Sequence, residues 1–162
     1  MSMEEIQLVT FQLGTEEYGI DIMQVQEIMR LPSIVWVPKA PSFVEGVINL
    51  RNKVIPVIDL AKRLDVSSEG WTDDSRVVIA NIQDSLVGLV VDSVSEVMRL
   101  RTEAIEPLPE IMTSSNGRFL KGIAKLDDRL IILLDLEKTL THDDILKLQS
   151  VVNTASEDDE LI

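Results

Sequence analysis

Residues 43–64 read FVEGVINLRNKVIPVIDLAKRL, and residues 119–140 read FLKGIAKLDDRLIILLDLEKTL. The two stretches are identical at 8 of 22 positions without a gap, and most other positions exchange one aliphatic residue for another. In each, two short aliphatic runs flank a polar tip, which is the pattern of a β-hairpin. The chain therefore contains one hairpin twice, at an offset of 76 residues.

A second pair of segments extends this repeat upstream. Residues 18–31 read YGIDIMQVQEIMRL and residues 87–100 read VGLVVDSVSEVMRL, with 6 of 14 positions identical at an offset of 69. Constant order and shared Gly and Arg positions favour a duplication over the chance likeness of two β-rich segments. We predict two β-barrel subdomains, residues 6–74 and residues 75–140, with a longer Pro- and Ser-containing loop in the second.

The composition indicates a globular protein with an aliphatic core. Hydrophobic residues make up 45% of the 162 residues, aromatic residues make up 4%, and cysteine is absent, which excludes disulfides and thiolate chemistry. The net charge of -13 argues against nucleic acid and anionic membranes as partners. No signal-peptide pattern and no apolar run of about 20 residues is present, so we expect a cytoplasmic protein without direct membrane insertion.

Each copy predicts the same order of elements. Two strands joined by a turn come first, at residues 6–13 and 17–22 and again at residues 76–82 and 86–91. A short segment follows in which Val25, Ile28 and Met29 have the spacing of one helical face. Strands with closely spaced turns are typical of small barrels.

The ends of the repeated hairpins carry helix signals. Asp59 and Asp135 each follow the second hairpin strand and can cap a short helix by accepting from its free N–H groups. After the second copy, Thr141 is an N-cap candidate for a last helix with Ile145, Leu148 and Val152 on one face. We predict a C-terminal helix over residues 141–155 and a flexible acidic tail over residues 156–162.

The residues that catalysis requires are scarce. His142 is the only histidine and lies at the predicted start of the last helix. The sequence contains no G-x-S-x-G, no H-E-x-x-H and no Gly-rich phosphate loop. Paired acids occur in predicted turns, where Asp is favoured for backbone reasons. We therefore predict no enzyme, no cofactor and no metal site.

Differences between the copies direct attention to the first hairpin tip. Gly46 and Gly122 are shared, as expected for a bulge or a close backbone approach. Arg51 has Asp127 as its counterpart, so the hairpin does not require an arginine at this position. Pro56 replaces an isoleucine and predicts an edge or a bulge, because proline cannot donate to a ladder. Arg51 is either a solvent-facing tip residue or part of a binding surface on the first copy.

Several segments in the same order resemble a known family. EEYGIDIMQVQEI at residues 16–28, GVINLRNKVIPVIDL at 46–60, VGLVVDSVSEV at 87–97 and IEPLP at 105–109 are similar to CheW, the bacterial chemotaxis coupling protein. The resemblance implies a mainly β fold of two pseudo-repeated five-stranded SH3-like β-barrels packed together, with short connecting helices and a C-terminal helix. It also implies a non-catalytic scaffold between methyl-accepting chemotaxis receptors and the regulatory domain of the histidine kinase CheA, recruited to receptor arrays.

The resemblance also implies particular binding residues. Receptor contacts in this family lie in the groove between the barrels, which here implies Val25, Glu27, Ile28, Gly46, Asn49, Arg51, Val77 and Val91. Kinase contacts involve the Pro-containing loop of the second copy, which here implies Ile105, Glu106, Pro107 and Ile111.

Two residues depart from the family pattern. Asn52 stands where the family usually has glycine, and asparagine is the side chain that best tolerates positive φ. Glu106 is acidic where some relatives are basic. Alternatives to the CheA scaffold are an adaptor of another receptor–kinase pathway such as pilus motility, a regulatory fragment of a CheA-like kinase, and a small enzyme on a double barrel.

Overall fold

The computed structural model of the chain describes residues 4–108 and 119–160. Strands dominate this part of the chain: β1 Glu5–Leu13, β2 Glu16–Asp21, β3 Val25–Arg30, β4 Val44–Leu50, β5 Lys53–Asp59, β6 Arg76–Ile82, β7 Ser85–Val91, β8 Ser93–Arg101, β9 Ile105–Glu106, β10 Leu120–Leu126 and β11 Arg129–Leu134. The helices are α1 Leu60–Arg63, α2 Leu136–Thr139 and α3 His142–Glu160. The predicted mainly β fold with a C-terminal helix is confirmed.

The strands form two mixed sheets that each combine both repeats. One sheet has the order β3-β6-β7-β5-β4, and the other has the order β8-β1-β2-β11-β10-β9. Strands β6 and β7 of the second repeat thus complete the sheet of β3, β4 and β5, while β1 and β2 join the strands of the second repeat. The predicted boundary between residues 74 and 75 separates the two repeats in sequence, and strands are exchanged across it.

Each sheet closes on itself. In the first sheet, Val35 and Val47 exchange two backbone hydrogen bonds, which join the segment after β3 to β4. Strands β3 and β4 are the two edge strands of this sheet. In the second, the chain leaves edge strand β8 and passes through one 3-10 turn, Thr102–Ala104, into β9 at the opposite edge. We call the first sheet barrel 1 and the second barrel 2.

Backbone register follows the repeat residue by residue. In β4–β5 the pairing shifts between Val44 and Gly46, and in β10–β11 it shifts between Leu120 and Gly122. A Cβ on Gly46, which has φ +151°, would overlap the carbonyl oxygen of Val35, and one on Gly122 would lie 2.7 Å from the carbonyl oxygen of Glu106. Both features predicted for these glycines, a bulge and a close backbone approach, are confirmed.

Three apolar clusters explain the long aliphatic runs in the strands. Alternate residues of β6 belong to different clusters: Val77 and Ile79 lie inside barrel 1, whereas Val78 and Ala80 join the largest cluster, which also contains Val9 and Phe11 of β1 in barrel 2. A third cluster fills barrel 2. Strands buried on both faces carry no polar alternation, which is why the sequence reads as continuous Val, Ile and Leu.

One segment differs from the sequence expectation. The residues expected to form a helical face, Val25, Ile28 and Met29, lie on strand β3, and only the preceding Ile22–Gln24 forms a 3-10 turn. Burial along β3 alternates with period two, so Val25 and Met29 are half-buried while Ile28 is exposed. A mixture of apolar residues at i, i+3 and i+4 was compatible with a helix, but pairing with β6 determines the conformation.

Pro56 lies on an interior strand, so the predicted edge position is wrong for the strand as a whole. The parallel ladder from β5 to β7 starts at Val57, directly after the proline, whereas the corresponding ladder of β11 includes Ile132. Because proline has no N–H to donate, the ladder begins one residue beyond it.

The C-terminal helix begins as the sequence predicts and extends beyond the predicted end. Thr141 Oγ1 accepts from the backbone N of Asp144 at 3.1 Å, while Asp144 Oδ2 accepts from the backbone N of Thr141 at 3.0 Å, so the two form a reciprocal cap. Ile145 and Leu148 are buried against the barrels. The helix continues to Glu160, into the segment expected to be a flexible tail. Among residues 4–108 and 119–160, no helix is both long and apolar enough to cross a bilayer.

Candidate functional site

The tip of the β4–β5 hairpin is a tight turn with an unusual residue. Arg51 and Asn52 both have positive φ, 50° and 68°, as in a type I′ turn. Asn49 Oδ1 accepts from the backbone N of Asn52 at 3.1 Å and stabilises the turn. The expectation that Asn52 can occupy a left-handed position is confirmed. Arginine is not favoured there, so its presence calls for a side-chain role.

The Arg51 side chain forms a two-point ion pair with Glu27 of β3. The Nη1–Oε2 distance is 2.9 Å and the Nη2–Oε1 distance is 3.1 Å. The Arg51 side chain is 73% exposed and that of Glu27 is 24% exposed. Since β3 and β4 are the two edges of barrel 1, this pair joins the edges at the hairpin tip.

Strand β3 also carries apolar residues close to Glu27 in sequence. Ile28 is 36% exposed, and Val25 is half-buried at the rim of the cluster between the barrels. Asn49 is exposed two residues before Arg51. An exposed β-branched residue on a strand that also carries an oriented charge pair can offer apolar area and polar groups to another protein.

Comparisons with known proteins agree with this architecture. A profile of the CheW-like domain matches residues 7–144. The chain is 35% identical to the chemotaxis protein CheW of Klebsiella aerogenes, with 91% of this chain and 89% of the relative covered. It is 34% identical to the chemotaxis protein CheW of Treponema pallidum over the same shares of the two chains. The crystal structure of the scaffolding protein TtCheW from Thermoanaerobacter tengcongensis matches with a TM-score of 0.80 and 41% identity over 87% of this chain and 96% of that chain.

The chain belongs to the CheW-like family. The family expected from the sequence is thereby confirmed, and with it the class of chemotaxis adaptor.

Three of the residues that the family resemblance assigned to receptor binding are buried. Val77 is 0% exposed inside barrel 1, and Val91 is 1% exposed in the cluster between the barrels. Gly46 is also buried and lies against the backbone of Val35. These three residues are therefore not accessible to a partner, whereas Ile28 and Arg51 are exposed.

The residues expected to contact the kinase lie on β9 and just after it. Ile105 is half-buried against the interior of barrel 2, while Glu106 and Pro107 are exposed. Strand β9 pairs with β10 through Glu106–Ile123 and Ile105–Ala124. Ile111 lies outside the described residues. The described part of this site is therefore one short edge strand with an exposed acidic residue.

Sequence comparison of the two tips missed a second charge pair. Arg129 Nη1 lies 2.9 Å from Glu96 Oε1, and Arg129 Nη2 lies 2.7 Å from Glu17 Oε2. The hydrogen bonds that Arg129 donates to Glu17 and Glu96 raise the pKa of its guanidinium above the ordinary value. Glu96 is the counterpart of Glu27 at the offset of 69, inside the shared E-x-M-R-L motif. That shared glutamate was the signal available in the sequence.

The single histidine lies outside this surface. His142 is exposed in the first turn of α3, and its Nδ1 is 3.4 Å from Gln83 Oε1. Within the part of the chain that the structure describes, no group of three or more His, Asp or Glu side chains could hold a metal ion.

Proposed function

We propose that this protein is a non-catalytic scaffold that couples the cytoplasmic tips of methyl-accepting chemotaxis receptors to the regulatory domain of the histidine kinase CheA. The observation that carries the proposal is the exposed β3 strand and hairpin tip of a CheW-like fold, where Ile28 is exposed and the neighbouring Glu27 pairs with Arg51. On this proposal the protein is cytoplasmic and is recruited to receptor arrays.

The receptor side of the scaffold consists of β3 and the β4–β5 tip. Ile28 and Val25 supply apolar area, and Asn49, Glu27 and Arg51 form the polar rim. Gly46, Val77 and Val91 act on binding only through the packing beneath this surface.

The kinase side consists of Ile105, Glu106 and Pro107, together with Ile111. Strand β9 is at the edge of the barrel 2 sheet and is only two residues long, so its flanking side chains remain available to a partner. The exposed carboxylate of Glu106 favours a basic residue on the kinase. Because the two sites use different barrels, one molecule can hold receptor and kinase together and raise the effective concentration of one near the other.

A binding experiment with two partners tests this assignment. The wild-type protein is titrated with a receptor cytoplasmic fragment and, separately, with the CheA regulatory domain, and Ile28→Glu is compared with it. We expect Ile28→Glu to weaken receptor binding at least tenfold and to leave kinase binding unchanged, because a charge replaces apolar contact area. Leu146→Glu is the matched control, since Leu146 is 49% exposed on α3.

The outcomes separate the possibilities. Equal receptor binding by Ile28→Glu and the wild type would remove β3 from the receptor site. Loss of receptor binding by Leu146→Glu to the same extent would mean that a new surface charge alone explains the effect. Failure of the wild type to bind either partner would refute the proposed scaffold.

A further inference from the structure

A groove lies between the starts of strands β5 and β7, next to helix α3. The parallel ladder that joins these strands begins at Val57 and Gly88, and the preceding residues 53–56 and 85–87 line the groove. In barrel 2 the corresponding ladder begins two residues earlier. The strands of barrel 1 therefore come together later, directly after Pro56, which has no N–H to donate.

The lining of this groove is mostly apolar. Val54 and Leu86 contribute from the two strands, and Ile145, Leu148 and Val152 contribute from one stripe of α3. Val54, Leu86 and Val152 are only half-buried, so part of their apolar surface remains accessible. The volume of the groove is about 340 Å³, within the range of roughly 300–1,000 Å³ for small-molecule sites. An aliphatic chain is a suitable occupant, because it would remove this apolar surface from water.

Lys53 is the one charged residue among the described residues that line the groove. It is exposed, and it forms no hydrogen bond or ion pair within the part of the chain that the structure describes. The other polar lining side chains are neutral, namely Ser85, Gln149 and Asn153, and Gln149 Nε2 donates to Ser85 Oγ at 3.2 Å. The chain has 28 acidic residues, yet none is among these described lining residues. The groove thus offers a cation and no anion, which complements an anionic head group.

We propose that this groove binds a small aliphatic anion: the alkyl chain packs against Val54, Leu86 and Val152, and the carboxylate of the ligand pairs with Lys53. An unbranched alkyl monocarboxylate is the simplest ligand of this class. None of the described residues assigned to the receptor or kinase sites lines the groove, so this binding does not depend on the scaffold role.

The charge of the whole protein makes the head group a sharp criterion. A net charge of -13 attracts cations and repels anions over most of the surface. Non-specific binding of amphiphiles should therefore favour a cationic head group. A preference for the anion would have to come from the local charge of Lys53.

Titration of the full chain with octanoate, octanol and octylammonium, each below its critical micelle concentration, tests the proposal. The three probes share one alkyl chain and differ in charge. Backbone amide chemical shifts of the isotopically labelled protein report both the affinity and the location of binding. The variants are Lys53→Met and Val152→Asp. Their matched controls are Lys125→Met, at an exposed lysine of barrel 2, and Leu146→Asp, at an exposed position of α3 that does not line the groove.

We expect octanoate to shift the amides of residues 53–56 and 85–87 in a saturable way, with octanol bound more weakly and octylammonium most weakly. Lys53→Met should lower the affinity for octanoate by about two- to fivefold, the effect of one exposed ion pair, and leave the affinity for octanol unchanged. Val152→Asp should abolish the saturable shifts with octanoate, because a carboxylate then lies in the groove. Lys125→Met and Leu146→Asp should bind octanoate as the wild type does.

Three results would overturn the inference. Shifts that do not saturate, or that lie outside the groove, would show that the groove does not hold the alkyl chain. Binding of octylammonium as tight as that of octanoate would remove the role of Lys53. Self-association of the wild type that Val152→Asp abolishes would show that a second copy of the chain occupies the groove instead.

The test remains decisive if one variant or the proposed function fails. Should Val152→Asp unfold, the exposed Lys53→Met still decides between the anion and the neutral alcohol. The titration uses neither a receptor nor a kinase, so a failure of the scaffold role would leave its result unchanged.

Discussion

Arg63 Nε donates to the carbonyl oxygen of Thr139 at 2.9 Å, and these two residues hold the same position in the two repeats. Counterparts can touch only near the axis that relates the two copies. Phe43 and Phe119, also counterparts, place their rings 5.2 and 5.6 Å from the Arg63 guanidinium. Arg63 Nη2 further binds Asp144 Oδ2 at 2.7 Å, at the start of α3. One arginine thus joins both repeats and the C-terminal helix.

Replacing Arg63 should destabilise the whole protein. Arg63→Met keeps much of the apolar volume but removes the bond to Thr139 and leaves the largely buried Asp144 carboxylate without its cation. We expect the free energy of unfolding in urea to fall by about 2–3 kcal/mol, the range for a charged hydrogen bond and a broken, mostly buried ion pair. Arg99→Met, at an exposed arginine, serves as control. An equal loss of free energy of unfolding in both variants would show that the contacts of Arg63 contribute nothing specific.

Gly46 and Gly70 provide a matched test of barrel closure. Both have positive φ, but a Cβ on Gly46 would overlap the carbonyl oxygen of Val35, whereas a Cβ on Gly70 would have nothing within 4 Å. Gly70→Ala should cost about 1 kcal/mol for its backbone conformation. Gly46→Ala should cost about 2–4 kcal/mol because the Val35–Val47 pair must also move. Urea unfolding measures both, and equal losses would contradict the close approach.

The repeat made much of the fold predictable from sequence. Identical spacing around Gly46 and Gly122, and around Asp59 and Asp135, predicted the hairpins, the bulges and the helix caps, because these depend on local backbone chemistry. The assignment of strands to sheets was not predictable. Strand β6 has apolar residues on both faces, so its sequence does not distinguish barrel 1 from barrel 2.

The candidate site shows the same division. Ile28 was assigned to the site through the family resemblance, and it is exposed, although its segment was expected to be helical and is a strand. A position-by-position comparison of the tips indicated that only the first copy has such an arginine, since the counterpart of Arg51 is Asp127. The ion pair with the equivalent glutamate, Glu96, is formed by Arg129, two residues further on, so a pair of side chains can be kept while one partner moves along the chain. Such a substitution is visible only when distances are known.

The repeated caps allow a comparison within one protein. Asp135 Oδ1 accepts from the backbone N of Lys138 at 3.3 Å, and Asp59 Oδ1 accepts equally from Lys62. Asp59 Oδ2 also accepts from Trp71 Nε1 at 2.9 Å. Asp135→Ala should therefore lower the free energy of unfolding by about 1 kcal/mol. Asp59→Ala should lower it by about 2 kcal/mol, because the hydrogen bond from the indole is lost as well.

Urea unfolding of the two variants distinguishes the contributions. A third variant, Trp71→Phe, removes the indole donor. In a protein that carries Trp71→Phe, Asp59→Ala should lower the free energy of unfolding only by as much as Asp135→Ala does. If Asp59→Ala lowers the free energy of unfolding equally in the wild type and in Trp71→Phe, the hydrogen bond between the indole and the carboxylate does not contribute to stability.

Tyr18 makes the free energy of unfolding depend on pH in the alkaline range. It is 7% exposed, and burial, with a smaller contribution from the charge of Glu16, raises its pKa above the ordinary value of 10.0. The unfolded chain therefore loses the phenolic proton at a lower pH than the folded chain, so the free energy of unfolding falls as the pH rises above about 10 and is unaffected by this group below it.

The decline is bounded at about 1.4 kcal/mol for each pH unit between the unfolded and folded pKa values. Tyr18→Phe should remove this part of the decline. Since Tyr18 is the only tyrosine in the chain, the absorbance of the tyrosinate form reports its ionisation directly in the folded protein. A midpoint at or below 10 in the folded state would contradict the burial of the phenol between the barrels, where its ring lies 6.2 Å from that of Phe11.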